Sequence, residues 1–178
     1  MPNEASRDDR RFVFVVGGAR SGKSAFALKL SDEVSGKKVY LATGVPIDAE
    51  MEERIKRHRE ERPLLWETVE ERRDIRGGIT AAAGGVALID CLTIWIANLM
   101  EDGLNDAGIV KEAEGLVSAC RVSASSVVVV SNEVGCGIVP DNALARRFRD
   151  ISGIVNQMFA EAAPEVWFVA SGIPLRMK

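Results

Sequence analysis

One short segment constrains this chain more than any other. Gly17-Gly18-Ala19-Arg20-Ser21-Gly22-Lys23-Ser24 fits the pattern G-x-x-x-x-G-K-[ST]. Glycines let such a loop wrap back on itself, so that successive N–H groups converge on phosphate oxygens. The helix that follows points its positive end at the same place. Lys23 supplies a mobile point charge for the β- and γ-phosphates, and Ser24 a hydroxyl for Mg²⁺. The motif has this meaning only between a strand and a helix. The flanks satisfy that condition: Arg11 to Val16 is an apolar, β-branched run, and Lys23 to Ser35 reads as a helix with Gly36 just past its end.

The rest of the chain repeats the alternation. Lys38 to Ala42 (KVYLA) reads as a strand, Asp48 to Glu61 as a highly charged helix stopped at Arg62-Pro63, and Trp66 to Val69 as a short strand. A weak helix over Arg73 to Ala83 precedes the strand Val86 to Ile89, which ends in Asp90. Helices are expected over Leu92 to Met100 and Ile109 to Val122, then the strand Ser126 to Val130. Ala143 to Ala163 reads as a long amphipathic helix, with Leu144, Phe148, Ile151, Val155 and Phe159 on its apolar face. Glu165 to Ala170 is expected as the last strand. Strands that are apolar throughout and alternate with helices imply an α/β fold, a mostly parallel sheet flanked by helices on both faces. With the loop, this is a P-loop NTPase-type, RecA-like architecture. Residues 1–10 read as a flexible tail and 11–178 as a single domain.

Composition removes other classes. A net charge of −3 and a pI of about 5.4 argue against a nucleic-acid backbone as partner. No apolar run has the length of a membrane span. Met1 to Arg11 lacks the apolar core of a signal peptide. Cys91, Cys120 and Cys136 are widely spaced and odd in number, which suggests reduced thiols rather than a disulfide framework. A cytoplasmic protein is the expectation.

Two residues outside the loop bear on chemistry. Asp90, at the end of an apolar strand, is placed as a second ligand for Mg²⁺, although an aspartate after a strand also serves as a helix N-cap. His58 is the single histidine. It shares a helix face with Met51 and Ile55, and from spacing alone it reads as a packing residue. No other histidine is available for acid–base or nucleophilic work.

Four stretches together resemble a known family. They are Gly17 to Ser24, Tyr40 to Pro63 (YLATG followed by DAEMEERIKRHREERP), Leu88 to Met100 (LIDCLTIWIANLM), and Ser131 to Gln157 followed by EVWFVASGIPLRMK. The chain is similar over nearly all of Phe12 to Lys178 to the bifunctional adenosylcobinamide kinases / adenosylcobinamide-phosphate guanylyltransferases of cobalamin biosynthesis. The resemblance implies two steps. A nucleoside triphosphate (ATP or GTP) phosphorylates adenosylcobinamide. GTP then guanylylates a histidine, and adenosylcobinamide phosphate takes the guanylyl group to give adenosylcobinamide-GDP. The family's histidine matches His58 in the pattern R-I-x-x-H, so the resemblance makes it a nucleophile. Arg57 stands where some relatives carry a second histidine, and Asp90 where relatives can carry glutamate.

The resemblance further implies nucleotide contacts from Ala42, Thr43 and Gly44, from Arg59, Glu60, Glu61 and Arg62, and from Glu70. It also implies a homotrimer with active sites near subunit contacts. Asn132 and Glu133 follow a strand at its carboxyl end, where parallel sheets bind ligands. Glu133 is a candidate to orient or deprotonate the substrate hydroxyl. Arg146, Arg149, Gly153 and Asn156 share a polar helix face. That face either holds a substrate phosphate or a neighbouring subunit, or is simply solvated with an Arg146–Asp150 pair. Two other readings remain open at this point: a small-metabolite P-loop kinase without guanylyl transfer, and a GTP-binding regulatory subunit.

Overall fold

The computed structural model describes residues 10–44 and 65–178. The helix expected over Asp48 to Glu61, and all but the last residue of the expected tail, lie outside the described residues. In chain order the elements are β1 (Phe12–Gly17), α1 (Lys23–Asp32), β2 (Lys38–Ala42), β3 (Glu67–Glu70), α2 (Arg76–Ala81), β4 (Val86–Asp90), α3 (Leu92–Glu101), α4 (Asp106–Val122), β5 (Ser126–Asn132), α5 (Ala143–Ala162), β6 (Glu165–Ala170) and β7 (Ile173–Arg176).

The strands form one sheet in the order β3-β2-β4-β5-β1-β6-β7. Every pairing is parallel except that of β7 with β6. A strand held between two parallel neighbours is buried on both faces and must be apolar on both. β1 meets this demand, with all six residues buried. Its side chains alternate between two cores. Phe12, Phe14 and Val16 join the layer built by α2, α3, α4 and α5. Val13 and Val15 face Ala27 and Leu30 of α1 on the other side. Phe159 of α5 closes the first layer, its ring 6.3 Å from that of Phe12 and 5.9 Å from that of Phe14. On the second layer Phe26 of α1 meets Trp167 of β6 edge-on at 5.1 Å.

Local chemistry sets the helix boundaries. Asn105 and Asn142 each accept a hydrogen bond from the N–H three residues on, at 2.8 and 2.7 Å, and so start α4 and α5. α1 begins at Gly22 with no side-chain cap. Among the described residues no helix is long and apolar enough to cross a membrane.

The structure corrects several expectations. α2 is shorter than predicted because the flanking residues make turns. Leu144 is 66% exposed and does not join the apolar face that Ile151, Val155 and Phe159 bury. Asn156 is buried rather than solvated. Arg146 donates to the carbonyls of Pro140 and Asp141, and Asp150 pairs with Arg149 instead. β6 is not the last strand. Ser171 and Gly172, with φ of 51° and 81°, turn the chain back into β7, as a two-residue hairpin with positive φ at both central positions does. Pro174 is tolerated there because β7 is an edge strand.

At the start of the sheet Arg11 ties β1 to β6. Its guanidinium donates to Glu165 at 2.8 Å, and Trp167 Nε1–H donates to the same carboxylate at 2.6 Å. Burial raises the Glu165 pKa, but the hydrogen bonds from Arg11 and Trp167 and the positive charge of Arg11 outweigh it, so the group sits below its ordinary 4.5. A depressed carboxylate pKa contributes stability that is present above the unfolded value and lost as pH falls through the folded value. Arg11→Ala removes the main cause of that depression. Urea unfolding of Arg11→Ala is therefore expected to lose less stability than wild type on acidification below 4.5.

Candidate functional site

The loop between β1 and α1 is shaped by its backbone. Gly17 leaves β1 against β6: a Cβ at this position would lie 2.3 Å from the Val169 carbonyl oxygen and 2.8 Å from Ser21 Oγ. Arg20 and Gly22 both take positive φ, 55° and 91°, which turns the chain back toward α1. Ser21 N–H bonds the Gly18 carbonyl at 3.3 Å, and the Ser21 carbonyl accepts from Gly172 N–H at 2.8 Å. The hairpin between β6 and β7 thus braces the loop from outside. Lys23 is buried, and its Nζ donates to the Gly18 carbonyl at 3.0 Å, which folds the ammonium over the loop. α1 has no acidic residue in its first turn. The partial positive charge at its N-terminus favours an anion there.

A cavity of about 630 Å³ opens above this loop. Ala19 to Ser24, Asp90 and Asn132 line it, together with Ala25, Leu28, Tyr40, Cys91 and Ile94. It lies at the carboxyl ends of β1, β4 and β5, where parallel sheets carry ligands. The strand order explains the company. β5 lies between β1 and β4, with Asn132 level with Gly17 and Val130 level with Asp90. Asn132 therefore stands between the phosphate loop and the carboxylate. Its N–H donates to Thr93 Oγ1 at 2.7 Å, and its carbonyl accepts from Asn156 Nδ2 at 3.0 Å.

The end of β2 holds the end of β4. Thr43 Oγ1 accepts from Cys91 N–H at 2.9 Å and donates to the Cys91 carbonyl at 2.8 Å. Asn98 of α3 donates to the Thr43 and Arg72 carbonyls at 2.9 and 3.1 Å. Tyr40 donates its hydroxyl hydrogen to Asp90 Oδ2 at 2.7 Å. Burial, and then the Asp90 charge, push the Cys91 thiol up to about 11, so it faces the cavity as a protonated group and not as a nucleophile.

Of the residues singled out in the sequence, the structure gathers Ala19 to Ser24, Asp90 and Asn132 around one space. Gly17, Gly18, Ala42, Thr43, Gly44, Glu70, Glu133, Arg146 and Arg149 do not line it. Glu133 instead accepts from Gly135 N–H at 2.7 Å, while its own N–H donates to the Gly17 carbonyl at 3.0 Å. His58, Arg59, Glu60, Glu61 and Arg62 lie outside the described residues. Sequence reasoning passed over Tyr40, Leu28, Cys91 and Ile94 as lining groups. A tyrosine in the middle of a short, mostly apolar strand was the available signal for Tyr40.

The oxygens present suit Mg²⁺. This ion is usually held by one or two carboxylates together with the substrate's phosphates, not by a protein cage. A hydroxyl (Ser24) and a carboxylate (Asp90) line the phosphate cavity. Among the described residues no cluster of three or more metal-ligating His, Cys, Asp or Glu side chains exists.

The sheet order, the loop and the cavity define a P-loop nucleotide-binding α/β domain of RecA-like type. A solved ATPase of the type III secretion system of pathogenic bacteria superimposes on 89% of this chain with a TM-score of 0.53 at 11% identity, and this chain spans 50% of its length. The profile of the family described as "Cobinamide kinase / cobinamide phosphate guanyltransferase" matches residues 13–177, and the chain belongs to that family. Its similar relatives include bifunctional adenosylcobalamin biosynthesis proteins. That of Escherichia coli K12 (CobU) is 42% identical over 93% of this chain and 99% of its own length. That of Salmonella typhimurium LT2 (CobU) is 43% identical over the same shares, 93% and 99%. That of Pseudomonas aeruginosa PAO1 (CobP) is 38% identical over 92% and 95%.

The close approach at Gly17 yields a test. Gly17→Ala puts a methyl group against backbone oxygen, and the loop must shift. Titration with a fluorescent guanine nucleotide is expected to show a loss of affinity of about tenfold or more, the scale of one misplaced set of phosphate contacts. Gly77→Ala, where a Cβ meets nothing within 4 Å, is expected to leave affinity unchanged.

Proposed function

We propose that this chain performs both steps that its family is named for. In the first, the γ-phosphoryl of a nucleoside triphosphate passes to the hydroxyl of the aminopropanol arm of adenosylcobinamide, and the nucleoside diphosphate leaves. In the second, His58 attacks the α-phosphorus of GTP and pyrophosphate leaves. The phosphate of adenosylcobinamide phosphate then attacks the guanylyl-histidine. Adenosylcobinamide-GDP forms and the imidazole is freed. A neutral imidazole is a nucleophile near neutral pH, and its phosphoramidate stays reactive toward the next acceptor. The relay divides one hard displacement into two easier ones.

The observation that carries this reading is the extent of the family match. A P-loop alone is common to many kinases, whereas the match runs over residues 13–177. In this reading the loop amides from Gly18 to Ser24 and the Lys23 ammonium hold the β- and γ-phosphates and stabilise charge in the transition state. Ser24 and Asp90 would hold Mg²⁺, which, when bound, neutralises the oxygens between the transferred and leaving groups. Asn132 is the polar group between loop and carboxylate, available to orient the acceptor. Ala42 to Gly44, Arg59 to Arg62 and Glu70 belong to the same proposal as nucleotide contacts. So do Glu133, Arg146 and Arg149 as substrate contacts, the homotrimer, and the cytoplasmic location.

The test is the mass of the intact protein after incubation with GTP and Mg²⁺. An acid-labile guanylyl adduct is expected on the wild type and none on His58→Ala. A wild-type protein that phosphorylates adenosylcobinamide but forms no adduct would be a P-loop kinase only. Turnover-free, nucleotide-dependent capture of a partner would instead mark a regulatory subunit.

A further inference from the structure

We infer that Tyr40 is a positioning residue for the Asp90 carboxylate, holding it in the orientation in which it meets the metal–nucleotide complex. The inference rests on the reading of Asp90 as the carboxylate directed at Mg²⁺.

The strand register creates the pair. β2 lies beside β4, with Ala42 opposite Asp90 and Tyr40 opposite Leu88. Tyr40 and Ala42 are two residues apart, so Tyr40 points to the face of Asp90 and is its diagonal neighbour. A shorter side chain would not span that diagonal, whereas the tyrosine hydroxyl reaches Oδ2 at 2.7 Å. Both residues line the cavity above the phosphate loop. The contact is therefore part of the cavity wall and not a distant core hydrogen bond.

The donor is fixed at its other end. Tyr40 is 5% exposed, and its ring meets Trp66 edge-on at 6.3 Å and 77°. Trp66 in turn donates Nε1–H to Asp32 Oδ1 at 3.1 Å. Lys38 Nζ donates to the same oxygen at 2.9 Å and sits 5.9 Å over the Trp66 ring. A line of packed and hydrogen-bonded groups thus runs from the end of α1 through Trp66 and Tyr40 to Asp90. The Asp90 backbone is secured separately: Thr43 grips Cys91 through two hydrogen bonds, and Thr43 N–H reaches the Asp90 carbonyl at 3.4 Å. Backbone and carboxylate have different holders. A side chain at a strand end keeps two torsions, and a fixed hydroxyl on one carboxylate oxygen restrains both of them. Partners that orient a metal-directed carboxylate in this way are worth about 10- to 100-fold in metal affinity.

Tyr40→Phe tests this, because it keeps the ring on Trp66 and removes only the hydroxyl. The readout is equilibrium Mn²⁺ binding, followed by electron paramagnetic resonance, to the full chain saturated with a GTP analogue that cannot transfer its phosphates. Analogue binding in EDTA is measured alongside. Tyr40→Phe is expected to weaken Mn²⁺ binding about tenfold. Binding of the analogue in EDTA should stay within about twofold, and Tyr40→Phe should add nothing in an Asp90→Ala background. Wild-type Mn²⁺ affinity in Tyr40→Phe, with loss in Asp90→Ala, would overturn the role of Tyr40 alone. Wild-type affinity in Asp90→Ala would remove the reading of Asp90, and the inference with it. An equal fall in both backgrounds, or a parallel fall in EDTA, would make Tyr40 a structural residue of the cavity and overturn the inference.

Discussion

The approach of Gly17 to the Val169 carbonyl governs the geometry of this molecule. β1 is buried on both faces and paired on both edges, so its carboxyl end has little freedom. The chain can leave the sheet there only because Gly17 has no Cβ to meet the backbone of β6. From that point the positive φ values at Arg20 and Gly22 and the bond from Gly172 N–H to the Ser21 carbonyl set the turn. α1 must then start with Lys23 and Ser24 facing the space above the sheet. The same helix covers the second core through Ala27 and Leu30. One backbone contact thus links the packing of a face to the placement of a charge.

The opposite wall of the cavity is built by a different device. β5 separates the loop strand from the strand that carries Asp90, and the cavity opens between them. Hydrogen bonds from the end of β2 then fix what stands on the far side. The hydroxyl of Thr43 holds the Cys91 backbone and that of Tyr40 holds the Asp90 carboxylate. An ordered carboxylate facing ordered amide donors needs little rearrangement when charge develops between them. β2 also leads directly into the segment of sequence that contains His58.

Much of this was legible before the structure. The runs FVFVV, KVYLA, VALI and SVVVV are apolar at every position or nearly so, and they became the central parallel strands, because only a doubly covered strand demands such a run. The phosphate loop was legible because its chemistry allows few residue types. What escaped depended on neighbours distant in sequence. Pro174 and the short IPLR segment hide β7, whose pairing follows from the turn at Ser171 and Gly172. Leu144 fits the helical period but precedes the part of α5 that reaches the core. Asn156 reads as a surface residue, yet it turns inward to the Asn132 carbonyl. Tyr40 gained meaning only from the order of strands, which no local pattern encodes. His58 came from resemblance, since its spacing pointed to packing.

The proposed place for the nucleotide's phosphates and metal is the space between the phosphate loop and Asp90. A crystal structure with Mg²⁺ and a GTP analogue that cannot transfer its phosphates tests it most directly. Phosphate density is expected cradled by the amides of Gly18 to Ser24, with Lys23 Nζ moved from the Gly18 carbonyl onto a phosphate oxygen. Metal density is expected between Ser24 and Asp90. Phosphates bound elsewhere, with Lys23 still on Gly18, would contradict it.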